Sequence, residues 1–122
     1  MEKQFDLNEN GVCMNPNVQI IVSGKFRAMI ETAKIDGKWY CGHSFDTPTG
    51  GYCCGVTKEK DEEFNTEHEA ISCVARKGIK WFKEQIDWHA KGGKVLNVPK
   101  FIFDELNNLT KHHPVQLELF DL

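Results

Sequence analysis

The side chains in this 122-residue chain best suited to metal or nucleophile chemistry are Cys41, His43 and the adjacent pair Cys53-Cys54. Thiolate and imidazole are preferred zinc ligands, and an imidazole beside a thiol can also activate a cysteine nucleophile. Cys41 and His43 stand two residues apart, so on a strand they share a face. A following hairpin strand can bring Cys54 close to His43, which makes Cys41, His43 and Cys54 the candidate metal ligands. Against this, structural zinc sites are usually built from two closely spaced ligand pairs. Adjacent cysteines on a strand point to opposite faces and cannot easily share one ion. For a nucleophile pair, no third orienting group and no oxyanion loop can be named. The expectation is no metal, no cofactor and no catalytic residue, with buried cysteines filling a core between sheet and helix.

Other polar clusters read in the same way. Gly50-Gly51 makes a turn, because no lysine-serine helix start follows to cradle a phosphate. His112-His113 suits a helix end, where imidazole sits well against the C-terminal dipole. Arg76, Lys77, Lys80 and Lys83 form a basic helix face that could track a phosphate backbone, with Trp81 as a stacking surface. Glu67, Glu69 and Glu84 flank them, so any nucleic-acid contact there is expected to be weak and secondary.

A second kind of signal lies in Gln116-Leu117-Glu118-Leu119-Phe120, followed by Asp121-Leu122. Large apolar side chains after the helix breaker Pro114 are suited to burial in a partner. The spacing Gln-Leu-x-Leu-Phe resembles the peptide by which many bacterial replication, repair and mobile-element proteins dock on the ring-shaped sliding clamp of DNA polymerase. The resemblance implies that Gln116 hydrogen-bonds at the mouth of a groove. It implies that Leu117 packs beside it and that Leu119 and Phe120 fill a deeper apolar pocket. Glu118 occupies the permissive position of that pattern. Such anchors work through a few side chains in desolvated pockets, offset by the cost of ordering the peptide.

Composition bounds the rest. At 40% hydrophobic and 11% aromatic content, the chain can bury one core, and one domain is expected. A net charge of −3 excludes the strongly basic balance of a dedicated nucleic-acid binder. No apolar run reaches bilayer length and Met1-Glu2-Lys3-Gln4-Phe5-Asp6 lacks a signal-peptide core, so a cytoplasmic protein without membrane contact is expected. In that compartment the five cysteines read as reduced thiols.

The elements follow from periodicity and punctuation. Residues 1–17 read as a loose polar leader, residues 18–110 as one domain and residues 111–122 as a tail. Alternation from Val18 to Thr32 predicts one long strand, kinked or bulged at Gly24. Asp36-Gly37 predicts a tight hairpin into Lys38–Phe45, and Thr47–Gly51 a further turn into Tyr52–Thr57. Thr66-x-x-Glu69 is a capping box that opens a helix with the apolar stripe Ile71, Val74, Ala75, Gly78, Phe82 and Ile86. Pro99 begins a second helix through Thr110, with Phe101, Ile102, Leu106 and Leu109 as its apolar side. The fold class is α+β: a three- to four-stranded antiparallel meander covered on one face by a long amphipathic helix, with a second C-terminal helix.

This order resembles two β-β-β-α scaffolds, the antitoxin-like fold of HicB proteins and the double-stranded-RNA-binding fold. Phe64-Asn65-Thr66-Glu67-His68-Glu69-Ala70 leads into the helix much as in the former. The lysine cluster that opens the helix of the latter is replaced by Glu67, His68 and Glu69, so RNA binding by that mode is not implied. Two functional expectations result. The first is a non-enzymatic accessory factor of DNA replication, repair or a phage or other mobile element, recruited to the sliding clamp. The second is an antitoxin-like interaction module, a homodimer through its sheet or a partner-binding domain, whose tail packs on its own fold.

Overall fold

The computed structural model describes residues 3–56 and 62–111. They form an α+β unit in the order β1 (Asn17–Ser23), β2 (Phe26–Ile35), β3 (Lys38–Thr47), β4 (Gly50–Cys54), α1 (Glu67–Lys91) and α2 (Lys100–Thr110). The strands make one four-stranded antiparallel sheet in sequential order.

The expected single strand through Gly24 is instead a hairpin, with Ser23 paired to Phe26. Gly24 takes φ +61, the left-handed value that the first position of a type II′ turn demands, so the chain reverses there. At the next turn Asp36 and Gly37 both adopt positive φ, 52 and 84, as a type I′ hairpin requires. The register that follows places Ala28, Ile30 and Thr32 on the same face as Cys41, His43 and Phe45.

That face carries the helices. Ala28, Ile30 and Phe45 from the sheet meet Ala70, Val74, Ala75 and Phe82 from α1 and Ile102 and Leu106 from α2 in one buried cluster. Burying a side chain of this size contributes about 1.5–3 kcal/mol. Gly78 sits where a Cβ would lie 3.0 Å from the Phe45 ring, which lets α1 approach the sheet closely. The capping box is present: Thr66 Oγ1 accepts from Glu69 N at 3.1 Å, and Glu69 Oε1 accepts from Thr66 N at 3.2 Å. Glu67, in the first turn, accepts from Thr32 Oγ1 at 2.7 Å and Asn17 Nδ2 at 2.9 Å. A carboxylate is favourable at that end of the helix dipole, so this contact fixes where α1 starts over β1 and β2.

In α2, Ile102 and Leu106 are fully buried, but Phe103 packs on the core while Phe101 is half exposed. The apolar side is thus rotated toward Phe103, because α2 lies against both α1 and β1. Residues 3–16 are folded onto the opposite face of the sheet. Asn8 Oδ1 accepts from the backbone of Asn10 and Val12, closing a turn, and Cys13 N donates to Val56 O at 2.9 Å. Cys13 and Val56 are buried there with Ala33, Ile35 and Tyr40, and Phe5 packs beside them. Among the described residues, no helix is long and apolar enough to cross a membrane.

Candidate functional site

The peptide residues Gln116, Leu117, Leu119 and Phe120 lie outside the described residues, as do His112 and His113. The element that leads to them is described. Thr110 closes α2, and its carbonyl accepts from Ser72 Oγ at 3.3 Å, which pins the end of α2 beside the early turns of α1.

The cysteine–histidine set is partly brought together. His43 pairs directly with Cys54 across the β3–β4 ladder, and Cys41 lies two residues along the same face. Their environments differ. Cys41 is buried in the core, Cys54 is exposed on the edge strand, and the His43 ring stacks on Phe45 with centroids 4.9 Å apart. Among the described residues, no three His, Cys, Asp or Glu side chains group as metal ligands. Cys53 is exposed as well, so only Cys13 and Cys41 occupy core positions, in different clusters.

On α1, Arg76, Lys77, Lys80 and Lys83 are all exposed. Arg76, Lys80 and Lys83 follow spacings of four and three, so they form one row on the surface. Glu84 and Asp87 line the same shallow hollow of about 480 Å³. Trp81 does not belong to this row. It is half buried, its ring 5.7 Å from that of Phe45 and edge-on to Phe82 at 4.9 Å, so its face is committed to the core. The exposed tryptophan of α1 is Trp88, at 69% exposure.

Trp88 borders a cleft at the other end of the helix. It measures about 680 Å³ and is lined by Thr49, Trp88, His89, Lys91, Gly92 and Lys94. His89 is buried, with Nδ1 2.8 Å from the carbonyl of Gln85 and Nε2 3.3 Å from Thr49 Oγ1. A carbonyl only accepts, so Nδ1 carries a proton, and in the neutral ring Nε2 accepts from the Thr49 hydroxyl. Thr47 Oγ1 supports Thr49 by accepting from its backbone N–H at 3.3 Å and donating to Gly50 O at 3.1 Å. This chain ties the β3–β4 turn to the end of α1. Two lysines and an exposed aromatic ring around it can take an anionic group beside a flat ring.

Sequence reading missed His89, although the signal is present. His89 stands seven residues after Phe82 and so continues the buried stripe beyond Ile86. A histidine at a core position needs partners for both ring nitrogens, and the threonine-rich turn supplies one of them. No protein-family model, no curated protein and no solved structure matches this chain, so its functional reading rests on its own residues.

Proposed function

We propose that the chain is an accessory factor of DNA replication, repair or a mobile genetic element that is recruited to the bacterial sliding clamp. The observation that carries this reading is the peptide Gln116-Leu117-Glu118-Leu119-Phe120. Its glutamine and three large apolar side chains match the clamp-docking pattern at every specified position. The α+β unit before it supplies the cargo. Recruitment raises the local concentration of that unit at DNA without any new contact between the unit and the clamp.

Two surface features suit a domain held near DNA. The row Arg76, Lys80 and Lys83 offers cations for phosphates, and Trp88 with Lys91 and Lys94 offers a ring and further charge at the far end of α1. With the chain's net charge at −3, this contact serves as a weak aid to a protein already positioned by the clamp. Peptide competition tests the reading. A synthetic peptide covering residues 114–122 should displace the intact protein from purified clamp. A peptide with alanine in place of Leu119 and Phe120 should leave it bound. Displacement by neither peptide would remove the proposal.

A further inference from the structure

A strand at the edge of a sheet keeps one row of backbone N–H and C=O groups without a ladder partner, and proteins normally guard such edges with charge, proline or a covering segment. Strand β1 is such an edge. Its seven residues, Asn17-Val18-Gln19-Ile20-Ile21-Val22-Ser23, include no charged residue and no proline. Among the described residues, neither a strand nor an isolated bridge pairs with its outer side.

The turn fixes which groups face outward. In a two-residue hairpin the pair flanking the turn is the mutually hydrogen-bonded one, here Ser23 and Phe26. Alternation then directs the backbone of Ser23, Ile21, Gln19 and Asn17 toward β2. The backbone N–H and C=O of Val18, Ile20 and Val22 point to the open side. The same three residues carry the exposed apolar side chains of the strand, at 46%, 57% and 52% exposure. Main-chain donors and acceptors and a greasy stripe therefore coincide on one edge.

We propose that two copies of this chain pair antiparallel along β1, about a two-fold axis at Ile20, to make one continuous eight-stranded sheet. The proposal is independent of the clamp reading. The sequence is self-complementary about that axis: Val18 lies opposite the partner's Val22, and Ile20 opposite the partner's Ile20. An isologous interface requires such self-matching. All three outward-facing residues of each strand then fall in hydrogen-bonded pairs, so both rows of open groups are satisfied at once.

The rows flanking the axis are also compatible in charge. Val18 pairs with Glu31 and Val22 with Arg27 inside one copy, while Ile20 pairs with Met29. Across the two-fold, each outer row runs Glu31, Val18, partner's Val22, partner's Arg27. The central row runs Met29, Ile20, partner's Ile20, partner's Met29. Arg27 is already paired with Asp46 of its own copy at 2.7 Å, so no like charges meet across the axis, and the valines, isoleucines and methionines form one apolar patch there. An uncharged strand with this symmetry fits a second copy of itself better than a charged peptide.

Sedimentation equilibrium of the full chain over a wide concentration range tests the pairing, together with Ile20→Lys, which sets two like charges face to face at the axis. The expected result is a mass rising from one copy to two in the parent. Pairing should be weaker by about tenfold or more in Ile20→Lys, with circular dichroism unchanged, and with the thermal midpoint unchanged at concentrations where both proteins are single copies, because the side chain is exposed there. Val22→Lys replaces it if Ile20→Lys loses the parent's circular dichroism. Amide exchange at Val18, Ile20 and Val22 should slow only at concentrations where two copies associate, and a chain ending at Lys111 should still pair. A single copy at every concentration would overturn the proposal, as would pairing undiminished by the lysine variant. Loss of pairing on removing residues 112–122, or protection of those amides in the single copy, would also overturn it, since the chain's own tail would then be the occupant.

Discussion

Replacing Gly42 with alanine isolates one packing constraint that the structure makes explicit. Gly42 lies in the middle of β3, on the face away from the helices, where residues 54–56 cross the sheet. A Cβ at this position would lie 2.5 Å from the Cys54 carbonyl oxygen, 2.7 Å from the Gly55 carbonyl carbon and 2.8 Å from the Val56 nitrogen. All three are backbone atoms, so no side-chain rotation can relieve the contact. Val56 is fully buried beside Cys13, whose backbone N–H bonds to the Val56 carbonyl, so a displaced crossing also disturbs the leader. Overpacking of this kind costs about 1–3 kcal/mol. In the opposite direction, removing a glycine from a strand interior returns about 0.5–1 kcal/mol. The net expectation is a loss of about 1–2 kcal/mol. Gly92→Ala serves as the control, because Gly92 has φ −88 and its nearest atom to a new Cβ is 3.5 Å away. That change should be neutral or stabilising by up to about 1 kcal/mol through the unfolded chain. Urea denaturation followed by tryptophan fluorescence reads both, since Trp39 and Trp81 pack against the core. A Gly42→Ala protein as stable as the parent, at unchanged urea dependence, would refute the reasoning about the crossing.

Two further outcomes follow from local chemistry. Thr66→Ala removes the side-chain half of the capping box and should lower stability by about 1 kcal/mol, read as a shift in the urea midpoint. Burial raises the Glu31 carboxyl above its ordinary value of 4.5. The folded state therefore holds this proton more tightly than the unfolded state, so the contribution is present below 4.5 and is lost as pH rises through the higher folded value. Glu31→Gln should flatten that part of the urea midpoint's pH dependence, and an identical pH profile in parent and variant would contradict the assignment.

Much of the architecture is legible in the sequence because it depends on local rules. Asp36-Gly37 specifies its turn through backbone freedom, Thr66 and Glu69 specify the start of α1 through reciprocal bonds, and the apolar stripe specifies the face that α1 buries. Gly24 was harder to read. A glycine within an alternating run fits a bulge and a two-residue turn equally well, and only pairing Asn17–Ser23 against Phe26–Thr32 decides for the turn. Trp81 illustrates a different limit. It lies beside the basic row in sequence, yet a long helix crossing a twisted sheet turns its ring onto Phe45, while Trp88 stays exposed. The Thr49–His89 contact joins residues 40 positions apart, so no spacing rule could reveal it. The open side of β1 likewise depends on which strand ends the sheet, which is a property of the assembled topology.

The central claim is that residues 116–120 bind the sliding clamp, and an equilibrium titration of purified bacterial clamp against the intact protein and a Leu119→Ala/Phe120→Ala variant tests it most directly. If Leu119 and Phe120 are the anchors, losing both should weaken the complex by about a hundredfold or more, at roughly 1.4 kcal/mol per factor of ten. The fold should be unchanged by circular dichroism. Saturable binding by the intact chain that the double substitution abolishes is the predicted result. Equal affinity of the two proteins for the clamp, or no binding by either, would contradict the account.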